Sequence, residues 1–397
     1  MHSYAAYLGH QPHISIAELA AVVPGFTITK QIEKKILIFE STKQLDPDML
    51  IFLGGTISLS ERISKDDITV EDVPQVLCTE TSKMKKKITF GLRTHGMAPA
   101  KVKALYRNCK DALKKKDRPS RYVGTPRKPA ASVLLHDSGL LDGSHGCEIT
   151  IILGENLCWI GKTIAAQDVD DYSFRDMEKP VRDTKAGFLP PKLAQVLLNL
   201  GVWVCEEEEP LILDPFCGTG VIPMEALLRQ WPVLASDTAG KAISGTEKNL
   251  EWLRKEYDIL KKDAETTVWK HDARKAFDLK EYPDVIVTET HLGPTLNHVP
   301  TVADAMKIRT ENEKLQADFL KNVVESLPGV PIVCTWPVWK TKTKMLFLEK
   351  IWKVIEELPL EIVSPHDAEQ THGRPTLLYR RPDQYVGREI VILKPMK

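Results

Sequence analysis

Nowhere in these 397 residues does an apolar run approach the ~18 residues that a membrane-spanning helix needs. The first fifteen residues, Met1 to Ser15, lack the basic start and apolar stretch of a secretory signal. The seven cysteines are odd in number and scattered, with no Cys-x-x-Cys pair, so neither a disulfide framework nor a zinc site is expected. Long low-complexity segments and internal repeats are missing as well. Net charge is also absent, with 54 basic against 54 acidic side chains. These absences point to a reduced, cytoplasmic protein off the membrane and without a metal. Composition and length fit a globular chain of two or three domains with a sizeable core.

The zero net charge hides an uneven distribution. From Lys83 to Lys128 there are sixteen Lys or Arg against only Asp111 and Asp117, an excess of fourteen positive charges. A solvated face is the ordinary meaning of such a run. Here, however, the cations are interleaved with Phe90, Leu92, Val102, Leu105, Tyr106 and Tyr122, a pattern that suggests a folded basic surface for nucleic-acid phosphates. The candidate RNA contacts are Lys85, Lys86, Lys87, Arg93, Lys101, Arg107, Lys114, Lys115, Arg121, Arg127 and Lys128. Arg182 and Lys192, further along, are candidates of the same kind.

Residues 1–63 alternate short strand-like runs with an amphipathic stretch after Ser15, a compact α+β pattern. Residues 64–168 hold the basic window and two strand-like pieces about a turn at Gly154-Glu155-Asn156. Residues 169–200 form a linker and an amphipathic helix with proline in its first turn. From 201 to 397 short apolar strands alternate with helices, the last of them expected over Met345–Leu358, the signature of a parallel sheet covered on both faces. A last pair of strand-like runs about a turn, near the C-terminus, would add an antiparallel strand.

The first of those strands runs into Asp214-Pro215-Phe216-Cys217-Gly218-Thr219-Gly220 and then a helix. In doubly wound sheets ligands bind beyond the carboxyl ends of the strands, where the strand order reverses. The next strand ends in Asp237, suited to the two hydroxyls of a ribose, and the third in Asp272, within reach of an adenine amine. A dinucleotide loop would need a third glycine, where Pro223 stands, and Asp214 would repel a phosphate while favouring a cationic amine. Ribose, adenine and an amino acid without phosphate are the parts of S-adenosylmethionine.

Four stretches, at 182–200, 213–228, 235–237 and 270–273, resemble the THUMP-domain tRNA guanine-N2 methyltransferases, in particular the branch that methylates guanosine 10. The likeness is dense over roughly 170–300; N-terminal to this it is one of layout. It implies a Rossmann-like class I S-adenosylmethionine-dependent methyltransferase domain, preceded by a ferredoxin-like α+β segment and a THUMP-like module that holds tRNA. It also implies that Asp214, Phe216, Gly218 and Gly220 line the methionine side of the cofactor. Asp237 would take the ribose and Asp272 the adenine amine, and Phe188 and Pro190 would close over them. A small activating subunit is a possible partner.

The run Val285-Ile286-Val287-Thr288 ends in Glu289-Thr290-His291-Leu292, where that family has Asp-Pro-Pro-Tyr. A guanine amine is a poor nucleophile because its lone pair is delocalised. Glu289 would accept its hydrogens, and His291 would stack on the base or take its proton. The alternative for His291 is a loop cap or a phosphate contact. Trp336 and Trp339 fit either a stacking wall or the core, and His271 fits a structural role. Two rival functions remain at this stage: a non-catalytic tRNA-binding protein that keeps the cofactor fold, and a nicotinamide-dependent dehydrogenase, which Asp214 and Pro223 disfavour.

Overall fold

The computed structural model describes residues 1–63, 68–84, 87–182, 189–366 and 373–396. It divides into two compact units, Met1–Pro12 with Val23–Tyr172, and His13–Val22 with Ser173–Lys397.

The first unit is built on one eight-stranded sheet. Its strands are β1 (His2–Leu8), β2 (Thr27–Ile32), β3 (Ile36–Ser41), β4 (Thr56–Arg62), β5 (Ile88–His95), β6 (Ser120–Val123), β7 (Gly146–Gly154) and β8 (Leu157–Ala166), in the order β2-β3-β1-β4-β8-β7-β5-β6. Residues 1–63 and 64–168 therefore share a sheet, joined where β4 pairs with β8. The expected hairpin is β7–β8, turning through Asn156 at a φ of 54°. Between the sequence neighbours β1 and β2 lies α1 (Pro12–Val22), which clusters with the second unit and whose Glu18 accepts from Asn199 there (2.7 Å). The helix α2 (Val73–Glu80) precedes β5, and α3 (Pro99–Lys115) makes the crossover that the parallel pair β5–β6 requires. In α3, Val102, Leu105, Cys109 and Leu113 recur at helical spacing and are buried, so its lysines and arginines are left outside. Two short helices follow, α4 (Ser132–Asp137) and α5 (Val169–Met177), of which α5 passes from the first unit into the second after Tyr172.

The second unit holds α6 (Pro191–Cys205), β9 (Ile212–Asp214), α7 (Val221–Leu228), β10 (Val233–Asp237), α8 (Gly240–Glu256), β11 (Thr266–Lys270), β12 (Val285–Glu289), α9 (Val302–Ser326), β13 (Ile332–Lys340), β14 (Met345–Leu346), α10 (Ile351–Glu357), β15 (Leu360–Ile362), β16 (Leu377–Tyr379) and β17 (Val386–Pro395). The strand order is β11-β10-β9-β12-β13-β17-β15, with β14 on β13 and β16 on β17. Strands β9 to β13 run parallel, and β17 is antiparallel to β13, as the C-terminal runs suggested. The chain moves outward from β9 through β10 to β11 and then returns to place β12 on β9's other side. That reversal opens the crevice between β9 and β12.

Burial explains the sequence of these elements. Val285, Ile286 and Val287 are fully buried, because β12 is covered on both faces. Trp336 and Trp339 are also fully buried, in the hydrophobic cluster that α9 closes, so they are core and not a stacking wall. The helix expected over Met345–Leu358 is shorter than its pattern suggested. Only Ile351–Glu357 is helical, and Met345–Leu346 pairs with β13. Among the described residues no helix is long and apolar enough to cross a membrane.

Candidate active site

A cavity of about 550 Å³ lies over the β9–β12 switch point, and Asp214, Phe216, Gly218, Asp237, Asp272, Glu289 and His291 all line it. Residues spread over 78 positions are thus gathered at one end of the sheet. This follows from their places at or just past the carboxyl ends of β9, β10, β11 and β12.

Asp214 is 2% exposed. Its Oδ1 accepts from the Thr288 hydroxyl (2.6 Å) and more weakly from the Phe216 N–H (3.3 Å). Burial nevertheless pushes its carboxyl up to about 7, and the charges of Asp237 and Glu289 push in the same direction. Among the described residues the hydrogen-bond partners of this acid are Thr288 and Phe216 and neither is a cation, which the α-amino group of an amino acid would supply.

The loop after Asp214 is held from α8. Thr246 donates its hydroxyl to the Gly218 carbonyl (3.0 Å), and the Asn249 amide donates to that of Thr219 (2.8 Å). Asn249 also exchanges hydrogen bonds with Val181, both 2.9 Å, and so fixes the segment that borders the cavity with Arg182. Sequence reading missed Thr246 and Asn249. The signal was available, since both are polar residues on the same helix face as Leu250 and Leu253, and both are fully buried.

Gly220 does not line the cavity. It starts α7 at a φ of 84°, where a side chain would be strained and its Cβ would stand 2.8 Å from Thr246. Gly218, at a φ of 54°, has nothing within 4 Å of where a Cβ would project. Phe216 lines the cavity while its ring packs edge-on against Phe319 (5.2 Å).

Asp237 accepts from Gly218 N–H through Oδ2 (3.1 Å) and from Ala239 N–H through Oδ1 (2.9 Å). The loop N–H that a pyrophosphate would need is therefore already taken by a carboxylate, which disfavours a dinucleotide here. Asp272 is gripped by Arg274 through both oxygens, 2.9 and 2.7 Å, and these bonds hold its carboxyl down at about 2. His271 donates its backbone N–H to the Asp237 carbonyl and its ring packs at a tilt against Phe277, a structural role.

At the end of β12, Glu289 forms an ion pair with the buried Arg388 of β17, a partner that sequence reading did not find. Thr290 is anchored by donating to the Thr335 carbonyl (2.6 Å) and accepting from Gln316 (2.8 Å). His291 is exposed at the cavity wall and makes no hydrogen bond among the described residues.

Two more expected site residues lie elsewhere than expected. Pro190 does not line the cavity; its carbonyl accepts from Leu193 and Ala194 at the start of α6, and Leu189 is the residue that faces the cavity. Arg93 is 7% exposed and paired through Nε with the fully buried Glu148 (2.8 Å), so its guanidinium is turned into the first unit and not out to the surface. Lys192 is half-buried on α6, and burial together with Arg175 lowers its ammonium's affinity for a proton. Lys87, Lys101, Arg107, Lys114, Lys115, Arg121, Arg127 and Lys128 are exposed in the first unit, and Arg182 in the second. Phe188, Lys85 and Lys86 lie outside the described residues. No group of three or more His, Cys, Asp or Glu among the described residues is placed to hold a metal.

A crevice that favours a cationic amine at Asp214 and has no donor left for a pyrophosphate at Gly218 belongs with the Rossmann-like methyltransferase domains, whose cofactor is S-adenosylmethionine. Residues 181–290 match the UPF0020 family, described as an RMKL-like methyltransferase domain. Two relatives, from Methanothermobacter thermautotrophicus and Methanocaldococcus jannaschii, are named tRNA (guanine(10)-N2)-dimethyltransferase. Each is 31% identical over 150 residues; the match covers 37% of this chain and 38% of the first relative, and 36% and 40% for the second. The chain thus spans about two fifths of the length of these curated relatives. The crystal structure of TrmN from Thermus thermophilus, 15% identical, aligns over 100% of both chains with a TM-score of 0.51, a likeness of fold.

Proposed function

We propose that this chain is an S-adenosylmethionine-dependent tRNA methyltransferase acting in the cytoplasm on the exocyclic N2 of a guanosine, with position 10 the first candidate. On this reading residues 1–63 are a ferredoxin-like segment, 64–168 a THUMP-like RNA-binding module, 169–200 a linker and helix, and 201–397 the methyltransferase domain. The observation that carries the proposal is Glu289, a carboxylate at the end of β12 facing the same cavity as Asp214, Asp237 and Asp272. The names of the two archaeal relatives support the choice of acceptor.

S-adenosylmethionine, when bound, supplies an activated methyl group. Asp214 would hold its ammonium, Asp237 its ribose and Asp272 its adenine. Glu289 accepts the hydrogens of the guanine amine and turns the nitrogen lone pair toward the methyl carbon, and His291 covers the splayed base. The exposed cations of α3 and β6 meet the tRNA backbone, and so does Arg182, which borders the cavity. A small activating subunit belongs to this reading as a second partner.

A second reading, a tRNA-binding protein without catalysis, draws on the Glu289–Arg388 ion pair, which occupies one carboxylate oxygen. Incubation with unmodified tRNA and S-adenosylmethionine labelled on its methyl group, followed by nucleoside analysis, separates the two. Label in N2-methylated guanosine is expected. Binding of cofactor and tRNA with no label, with cell extract added to supply a missing subunit, would establish the second reading.

A further inference from the structure

Strand β17 carries Arg388 and Glu389 inside a buried run. Burying a guanidinium is costly unless its charge and its N–H groups are met. Neighbours on a strand face opposite ways, and Glu389 has its own partners, the Thr376 hydroxyl (2.7 Å) and Arg374 (3.4 Å). Arg388, 2% exposed, instead lies 6.0 Å from the centre of the Tyr379 ring and donates Nε–H to Glu289 Oε1. It does so from two strands away, since β13 separates β17 from β12.

We infer that Arg388 is a positioning residue for methyl transfer. It commits one oxygen of Glu289 and thereby fixes the other toward the acceptor nitrogen in the cavity. The inference rests on the methyltransferase reading above. The backbone on the other side of Glu289 is fixed as well, through the hydrogen bonds of Thr290 to Thr335 and Gln316, both fully buried. Glu289, with a side chain 15% exposed, is thus held from the core at its carboxylate and at its next residue while it lines the cavity.

Kinetics on unmodified tRNA and calorimetry with S-adenosylmethionine test this in Arg388→Met, Arg388→Lys, Glu289→Gln and the Arg388→Met/Glu289→Gln double variant. Misplacement of Glu289 should lower kcat of Arg388→Met by about tenfold to a hundredfold, with cofactor affinity little changed. Arg388→Lys should recover part of that loss, and the double variant should be no slower than Glu289→Gln alone. A kcat for Arg388→Met within about twofold of wild type overturns the inference, and so does a full additional loss on top of Glu289→Gln. Should the Met variant not fold, Arg388→Lys carries the test, because unchanged kcat there also overturns it. No turnover by the wild-type protein, with a missing subunit supplied as above, would take down the methyltransferase reading and this inference with it.

Discussion

Asp214→Asn should make the free protein more stable and its cofactor complex weaker. An aspartyl carboxyl ordinarily ionises at 3.8, whereas burial pushes Asp214 in the folded protein up to about 7. Between those values the folded state keeps a proton that the unfolded chain has already released. Stability therefore falls as pH rises through that window, and the loss is complete above about 7. At 1.36 kcal/mol per pKa unit the loss is about 4 kcal/mol. Asparagine has nearly the same shape, still accepts from the Thr288 hydroxyl and carries no charge to bury. Urea denaturation followed through the buried tryptophans should show the variant more stable at pH 8, by up to about 4 kcal/mol, and little changed at pH 3. Calorimetry should show the reverse for S-adenosylmethionine, whose ammonium needs the ionised acid. Affinity should fall in the variant by roughly tenfold to a hundredfold. In the wild-type protein it should weaken by about tenfold per pH unit below 7. A variant destabilised at pH 8, or a wild-type affinity flat from pH 6 to 8, would refute the reasoning.

Gly220→Ala should cost about 1–3 kcal/mol of stability, because its φ of 84° is kept and the new Cβ meets Thr246; a thermal melt checks this. Beneath the site, Arg175 pairs with the buried Glu225 at 2.7 Å. Arg175→Met should lower the unfolding free energy by roughly 3–5 kcal/mol, and an added Glu225→Met should restore much of it, as denaturant titration would show. Replacing Lys101, Arg107 and Lys114 with alanine should reduce the slope of log tRNA affinity against log salt by about 2–3, with cofactor affinity unchanged. Arg93→Ala should leave that slope alone and lower the melting temperature, because its partner Glu148 would stay buried without its countercharge.

The methyltransferase domain was readable in the sequence because its signals are local. Short apolar strands end in acids, glycines follow the first, and helices of the right length separate them, so Asp214, Asp237, Asp272 and Glu289 could be assigned to one crevice. What escaped depends on register and on distant partners. Arg93 sits in a basic window by composition, yet β5 pairs with β7 so that Gly91 faces Glu148, which draws the guanidinium inward. Arg388 stands out as a charge in an apolar strand, but its partner lies 99 positions away. The helical pattern over Met345–Leu358 is cut short because Glu313 of α9 accepts the backbone N–H groups of Glu349 and Lys350 (2.7 and 3.0 Å), which sets the start of α10. No local rule shows a side chain from 36 residues earlier doing that.

The role proposed for Glu289 requires that the acceptor be the guanine amine. The most direct measurement compares methyl transfer to two tRNAs that differ at the modified position, one with guanosine and one with inosine, which lacks that amine. The account predicts label on the first and none on the second. Equal labelling of both would contradict it.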